Sequence, residues 1–175
     1  MEYLIISASL NKTSRSFVLS QSALEVFKQH RQQAELIDLR NYQLPLCDGG
    51  ETFNHPHVKQ IKQKIEKASA LIVAGPIYNY EMNAALKNLF DLTGSAWEGK
   101  IIGLMAVGGG RNSYMAPMNF LNSLMFNARC LIVPRYVYAL ENQISETHPL
   151  PTEITKRINE LVKTTIRLAE KLLAS

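Results

Sequence analysis

Residues 2–27, EYLIISASLNKTSRSFVLSQSALEVF, decide the fold. The first six, EYLIIS, form a short, nearly continuous apolar run that reads as a strand buried on both faces. The last part places Phe17, Leu24 and Phe27 at helical spacing, with Val18 and Val26 beside them. That pattern predicts a helix over 14–29. A buried strand that hands over to an amphipathic helix is the opening of a βα unit.

The same alternation continues along the chain. Strands are expected at 34–39 (AELIDL), 69–74 (SALIVA), 100–107 (KIIGLMAV) and 130–133 (CLIV), the last stopped by Pro134. Helices are expected from Pro56 to about 68, over 82–93, over 113–128 and from about 152 to 173. Pro56 suits a first helical turn. Ile154, Ile158, Leu161, Val162, Leu168, Ala169 and Leu172 mark the buried stripe of the final helix. Residues 40–55 read as a polar loop. Five strands alternating with five helices predict an α/β domain over 1–175, a parallel sheet covered on both faces. With right-handed crossovers, the flavodoxin-like strand order 2-1-3-4-5 is the expectation, a three-layer sandwich; a single-sheet nucleotide-binding variant is the alternative.

In such sheets ligands bind beyond the carboxyl ends of the strands, at the switch in strand order. Three loops therefore matter. The first runs from Ser7 to Ser16 and precedes a helix, where free N–H groups and the helix dipole favour an anion. Ser9, Ser14 and Ser16 offer hydroxyl donors, and Arg15 offers a forked cation. Plain capping by Thr13 or Ser14 would use only one hydroxyl. The second loop, Gly75-Pro76-Ile77-Tyr78-Asn79-Tyr80-Glu81, carries two flat tyrosine rings and the donor and acceptor of Asn79. The third, Gly108-Gly109-Gly110-Arg111, has three successive glycines directly after a strand. Glycines are costly in entropy and make sense where a ligand approaches the backbone closely. Neither G-x-G-x-x-G nor a P-loop motif is present at the first loop.

Composition narrows the classes. The 175 residues are 46% apolar and 19% charged, an ordinary globular balance. No apolar run reaches the ~20 residues of a membrane span, and the N-terminus has no basic region of the signal-peptide kind. Cys47 and Cys130 have no pairing motif, which suggests a reducing, cytoplasmic setting. His55 and His57 read as two exposed loop histidines rather than metal ligands. The net charge of +4 comes from basic residues spread along helices; they read as solvated faces, with attraction of phosphorylated ligands as the other reading. No basic-aromatic pattern points to nucleic acid.

Taken together, the loops resemble those of the NADPH-dependent FMN reductase family of flavodoxin-like proteins, which includes quinone, chromate and azo-dye reductases. The resemblance rests on Pro76-Ile77-Tyr78-Asn79, on Ala85-Leu86-Lys87-Asn88 with Asp91, on Ser9-Leu10 with Ser14 and Ser16, and on Leu44-Pro45-Leu46-Cys47-Asp48. Gly108-Gly109-Gly110 with Arg111 is similar to the family's glycine-rich loop beside the flavin ring. Ala8 replaces a usual glycine, and Asn11 stands where the family usually has arginine.

The resemblance implies noncovalent FMN, with Ser9, Asn11, Ser14, Arg15 and Ser16 around its phosphate. Pro76, Ile77, Tyr78 and Asn79 would hold one side of the ring and Gly108, Gly109 and Gly110 the other. Tyr80, Glu81 and Arg111 would shape the substrate side. It also implies NAD(P)H as co-substrate, a small acceptor, and a homodimer or homotetramer, to which the Met-rich helix 113–128 could contribute unless it is core. No protein side chain is needed as acid, base or nucleophile. A flavodoxin-type electron carrier, usually acidic, and an FMN-binding protein without turnover are the alternatives. A cysteine phosphatase is disfavoured because Cys130 and Arg135 have four residues between them and the motif needs five. A serine hydrolase is disfavoured because no G-x-S-x-G elbow occurs.

Overall fold

The computed structural model describes residues 1–145 and 147–173. In chain order its main elements are β1 (Glu2–Ser7), α1 (Arg15–Gln29), β2 (Gln33–Asp38), α2 (Pro56–Lys67), β3 (Ala70–Tyr78), β4 (Glu81–Met82), α3 (Ala84–Thr93), β5 (Ile101–Gly108), α4 (Met118–Phe126), β6 (Leu131–Ile132), β7 (Val137–Leu140) and α5 (Thr152–Leu173). No described helix is long and apolar enough to cross a membrane.

The sheet runs β2-β1-β3-β5-β6, with β7 also pairing β5 and β4 pairing β3. Every pairing but β3–β4 is parallel. β6 and β7 share one position in the sheet: β6 lies beside Ile101 and Ile102, β7 beside Met105 to Gly108. The flavodoxin-like order 2-1-3-4-5 therefore holds position by position. The fifth strand does not end at Pro134 as its sequence suggests. Arg135 takes a positive φ of 60°, and the strand resumes at Val137. β4 is a further departure. β3 runs on through Tyr78 and folds back as a short hairpin, where a loop is expected over 75–81.

Alternation along the strands divides the apolar residues between two cores. Leu4, Ile6, Leu71, Val73, Ile102 and Leu104 face Ile61 and Ile65 of α2, Leu86 and Phe90 of α3, and Phe120 of α4. Tyr3, Ile5, Ile72, Ile101 and Met105 face Leu19 and Phe27 of α1 and Ile158, Leu161 and Val162 of α5. A one-residue slip would exchange the two sets, so the register is firmly specified. Where α5 crosses β5, Gly103 lets the helix come close. A Cβ there would lie 3.3 Å from both Leu161 Cδ1 and Thr165 Oγ1.

At the outer border of the sheet, Arg157 of α5 donates to the carbonyls of Tyr136 and Tyr138, each at 3.2 Å. The Met-rich helix is mainly core: Phe120, Leu121 and Leu124 are buried, and Met118 and Met125 pack against the same cluster. Phe126 and the preceding Met115 remain exposed. The two histidines are half-buried rather than loose. His55 N-caps α2, and His57 Nδ1 accepts the Gln43 N–H at 3.1 Å. No metal-holding group of three His, Cys, Asp or Glu occurs among the described residues.

Cys130 sits under Trp97, its thiol donating to the Trp97 carbonyl at 3.1 Å. Burial pushes this thiol up to about 11. At pH 8 the thiolate, the reactive form, is then on the order of a thousandth of the population. Cys47 is half-exposed on a loop. We expect iodoacetamide at pH 8 to label Cys47 in the native protein and Cys130 only after denaturation. Peptide mass spectrometry reads this directly, and equal labelling of both native cysteines would contradict the packing.

Candidate functional site

The common register sets Ser7 level with Ala74, Ala74 with Met105, and Met105 with Val137. The loops after β1, β5 and β7 therefore leave the sheet at one edge, beside the extended end of β3. They enclose an open cleft of about 130 Å³. Its lining includes Ser9, Asn11, Ser14, Arg15 and Ser16 from the first loop, Pro76, Ile77 and Tyr78 from β3, and Gly108 and Gly109 from the third loop. Asn79 is not part of this cleft. It lines an adjoining groove with Glu81, and Tyr78 belongs to both. Gly110 and Arg111 lie exposed just beyond the lining, and Tyr80 is exposed at the hairpin tip.

The first loop is held by its own side chains. Ser14 is the N-cap of α1, its Oγ accepting the Phe17 N–H at 3.1 Å and lying 3.1 Å from Ser16 Oγ. Capping and a hydroxyl cluster are thus one arrangement. Ser9 Oγ accepts the Asn11 N–H, and Asn11 Oδ1 accepts the Thr13 N–H. Asn11 therefore shapes the loop rather than charging it. Ser9, Ser14 and Ser16 are all at most 3% exposed. The first turn of α1 carries no acidic residue, so its dipole is left uncancelled from within.

Two arginines flank this loop. Arg15 reaches Glu141, another residue of the cleft, at 3.9 Å, and both side chains are about half exposed. Such a pair is worth at most about 1 kcal/mol, little enough for a doubly charged anion to displace. Arg40 gave no signal in the sequence. Asp38 clamps its guanidinium through Nε and Nη2, it lies 4.5 Å over the Phe17 ring, and its Nη1 donates to the Lys12 carbonyl at 2.8 Å. It braces the loop from behind.

Asparagines tie the other segments together. Asn83 Nδ2 donates to the Ala8 carbonyl at 2.8 Å, joining the first loop to the hairpin. Its Oδ1 fills the space where a Cβ on Gly75 would stand, which explains that glycine. Asn88 accepts from the Cys47 N–H at 2.8 Å and donates to the Pro45 carbonyl at 2.9 Å. One side chain of the Leu-Lys-Asn motif thus fixes the 44–48 segment.

None of Gly108, Gly109 and Gly110 has a positive φ. A Cβ on Gly108 would collide with the Tyr138 hydroxyl, so a protein side chain already demands this glycine. A Cβ on Gly110 would meet nothing within 4 Å, and one on Gly109 only Glu141 Oε1 at 4.0 Å.

Residues 1–144 match the family described as NADPH-dependent FMN reductase. An NAD(P)H-dependent FAD/FMN reductase of Geobacillus thermodenitrificans is 28% identical over 165 residues, covering 92% of this chain and 89% of that protein. An NADPH:quinone oxidoreductase of Arabidopsis thaliana is 29% identical, covering 81% of each. Among solved structures, the apo form of an NADH:FMN oxidoreductase shares the fold, with a TM-score of 0.80 at 21% identity over 95% of this chain and 89% of that one.

The hairpin at the cleft's rim carries strain. Asn79 and Tyr80 both have positive φ, 50° and 64°. This suits Asn but costs a tyrosine about 1 kcal/mol or more. Tyr80→Gly should therefore raise the unfolding free energy by about 1 kcal/mol in urea titration, the reverse of the usual outcome for a glycine substitution. A loss of stability would show that the Tyr80 ring makes contacts worth more than the strain.

Proposed function

The chain belongs to the NADPH-dependent FMN reductase family, and on that footing we propose that it seats FMN in the cleft between the first loop, Pro76–Tyr78 and Gly108–Gly109. It is an NAD(P)H-dependent flavin oxidoreductase. One observation carries the placement: ten of the residues singled out from three distant loops line a single cleft.

The cleft suits the cofactor at both ends. At one end, buried hydroxyls of Ser9, Ser14 and Ser16 meet the uncancelled N-terminus of α1, the setting for a phosphate. Arg15 is within reach once it leaves Glu141. At the other end, Pro76, Ile77 and Tyr78 present an extended wall, and Gly109 carries no side chain opposite it. When bound, FMN supplies the two-electron chemistry between NAD(P)H and an acceptor. The chain's own part is to bind, to orient the ring and to leave one side open. Tyr78 and Tyr80, each more than half exposed, offer flat surfaces at that opening. The acceptor we propose is a small oxidant of the quinone, free-flavin, azo-dye or metal-oxyanion kind, with Glu81 and Arg111 bordering its approach.

The working assembly in this reading is a homodimer or homotetramer. Apolar Leu10, Leu46 and Tyr78 stay exposed along two grooves that adjoin the cleft, a surface a second copy could cover. Two unpaired cysteines fit a reducing cytoplasm. Light scattering at micromolar concentration tests the assembly.

Ser9→Ala combined with Ser14→Ala should weaken FMN binding at least tenfold in a fluorescence titration. Riboflavin, which lacks the phosphate, should bind the variant within about twofold of wild type. That control removes the helix-capping loss, on the order of 1 kcal/mol, from the comparison. Unchanged FMN affinity would mean the phosphate lies elsewhere. Oxidation of NAD(P)H by the isolated protein with a quinone present separates the enzyme from a flavodoxin-type carrier.

A further inference from the structure

Tyr138 stands on β7, thirty residues after Gly108, and its phenol passes beneath the third loop. It is 9% exposed, and its hydroxyl donates to the Gly110 carbonyl. The Tyr114 ring packs edge-on against the phenol, 5.5 Å between centroids at 74°. A Cβ on Gly108 would collide with the hydroxyl and lie 2.9 Å from Cζ. The loop thus bends around this one side chain, meeting it at residues 108, 110 and 114.

From this we infer that Tyr138 is the positioning residue of the glycine loop, fixing Gly108 and Gly109 against the ring end of the flavin cleft. The inference rests on the cofactor placement proposed above.

The physical reason is entropic. Beyond Gly108, the last residue of β5, the successive glycines 109 and 110 form a freely rotating backbone. Left alone, such a loop would lose that freedom each time a ligand settled against it, and affinity would fall accordingly. Held at the Gly110 carbonyl, the peptide plane between Gly110 and Arg111 is set, because that unit is rigid. Blocked at Gly108, the loop cannot sink toward the sheet. Burial raises the Tyr138 hydroxyl above its ordinary range, so it remains a proton donor through neutral pH.

The role differs from that of the first loop, and so does the expected signature. Tyr138 acts at the ring end, whereas Ser9 and Ser14 act at the phosphate end. Tyr138→Phe keeps the ring and its packing against Tyr114 and removes only the hydroxyl. We expect it to weaken FMN and riboflavin equally, by about three- to tenfold, in line with loss of one hydrogen bond and some loop order. The visible absorption band of the bound flavin should shift, a change that a purely structural role would not produce. Gly108→Ala should weaken both ligands at least tenfold in the wild-type background and by a smaller factor beside Tyr138→Phe, because the closest contact, with the hydroxyl, is then gone and only the ring contacts remain.

The test is a titration of the apo forms of the four proteins with each ligand. Wild-type affinity and spectrum in Tyr138→Phe, or the same Gly108→Ala penalty in both backgrounds, would overturn the role of Tyr138 and leave the cofactor placement standing. A wild-type apo protein that takes up neither flavin would overturn both.

Discussion

The parallel register of β1, β3, β5 and β7 is the constraint on which everything else depends. Both faces of the sheet are sealed by apolar cores, so no polar chemistry can be placed there without a large desolvation cost. Because Ser7, Ala74, Met105 and Val137 stand level, the carboxyl ends of these strands gather at one edge. Polar and glycine-rich segments far apart in sequence then become neighbours. The connection after β1 leads outward to β2 and that after β3 leads the other way to β5, which leaves a crevice between them with the α1 N-terminus in its wall. The cleft is a by-product of that topology. Its residues specialise it.

Much of this is legible in the sequence, because the signals are local. The strands at 2–7, 34–39 and 100–107 and the helices at 14–29 and 56–68 match the observed elements within a residue or two. Each has one dominant periodicity. The failures are equally physical. Pro134 reads as a strand terminator, yet the chain absorbs it with a left-handed Arg135 and re-enters the same ladder. The hairpin at 79–80 escapes notice because only Asn79 is a residue that favours positive φ. Tyr80 adopts it under constraint. The hidden partners are all long-range. Nothing local in Leu86-Lys87-Asn88 says that Asn88 will hold Cys47 and Pro45, and nothing near Gly108 says that a tyrosine thirty residues onward will fill the place of its side chain.

The cleft also shows how weak and strong polar contacts divide their tasks. Hydrogen bonds made by Ser14, Asn11, Asn83 and Asn88 define the backbone and leave it little freedom. The pairing of Arg15 with Glu141, half exposed and long, defines almost nothing. A cation on a loosely held side chain can turn toward an incoming anion at small cost, whereas one clamped like Arg40 cannot. The family's usual arginine is replaced by Asn11, so charge in this loop rests on a mobile group and shape on fixed ones.

Arg157 carries a consequence for how copies of this chain can meet. An edge strand with free carbonyls is a template on which another molecule can add a strand of its own. On β7 the carbonyls of Tyr136 and Tyr138 are already occupied by a guanidinium from α5. An approaching strand would have to expel a charged group and take over its bonds before gaining any of its own. Cross-molecule sheet extension, the route to fibres and domain-swapped aggregates, is thereby blocked along this border.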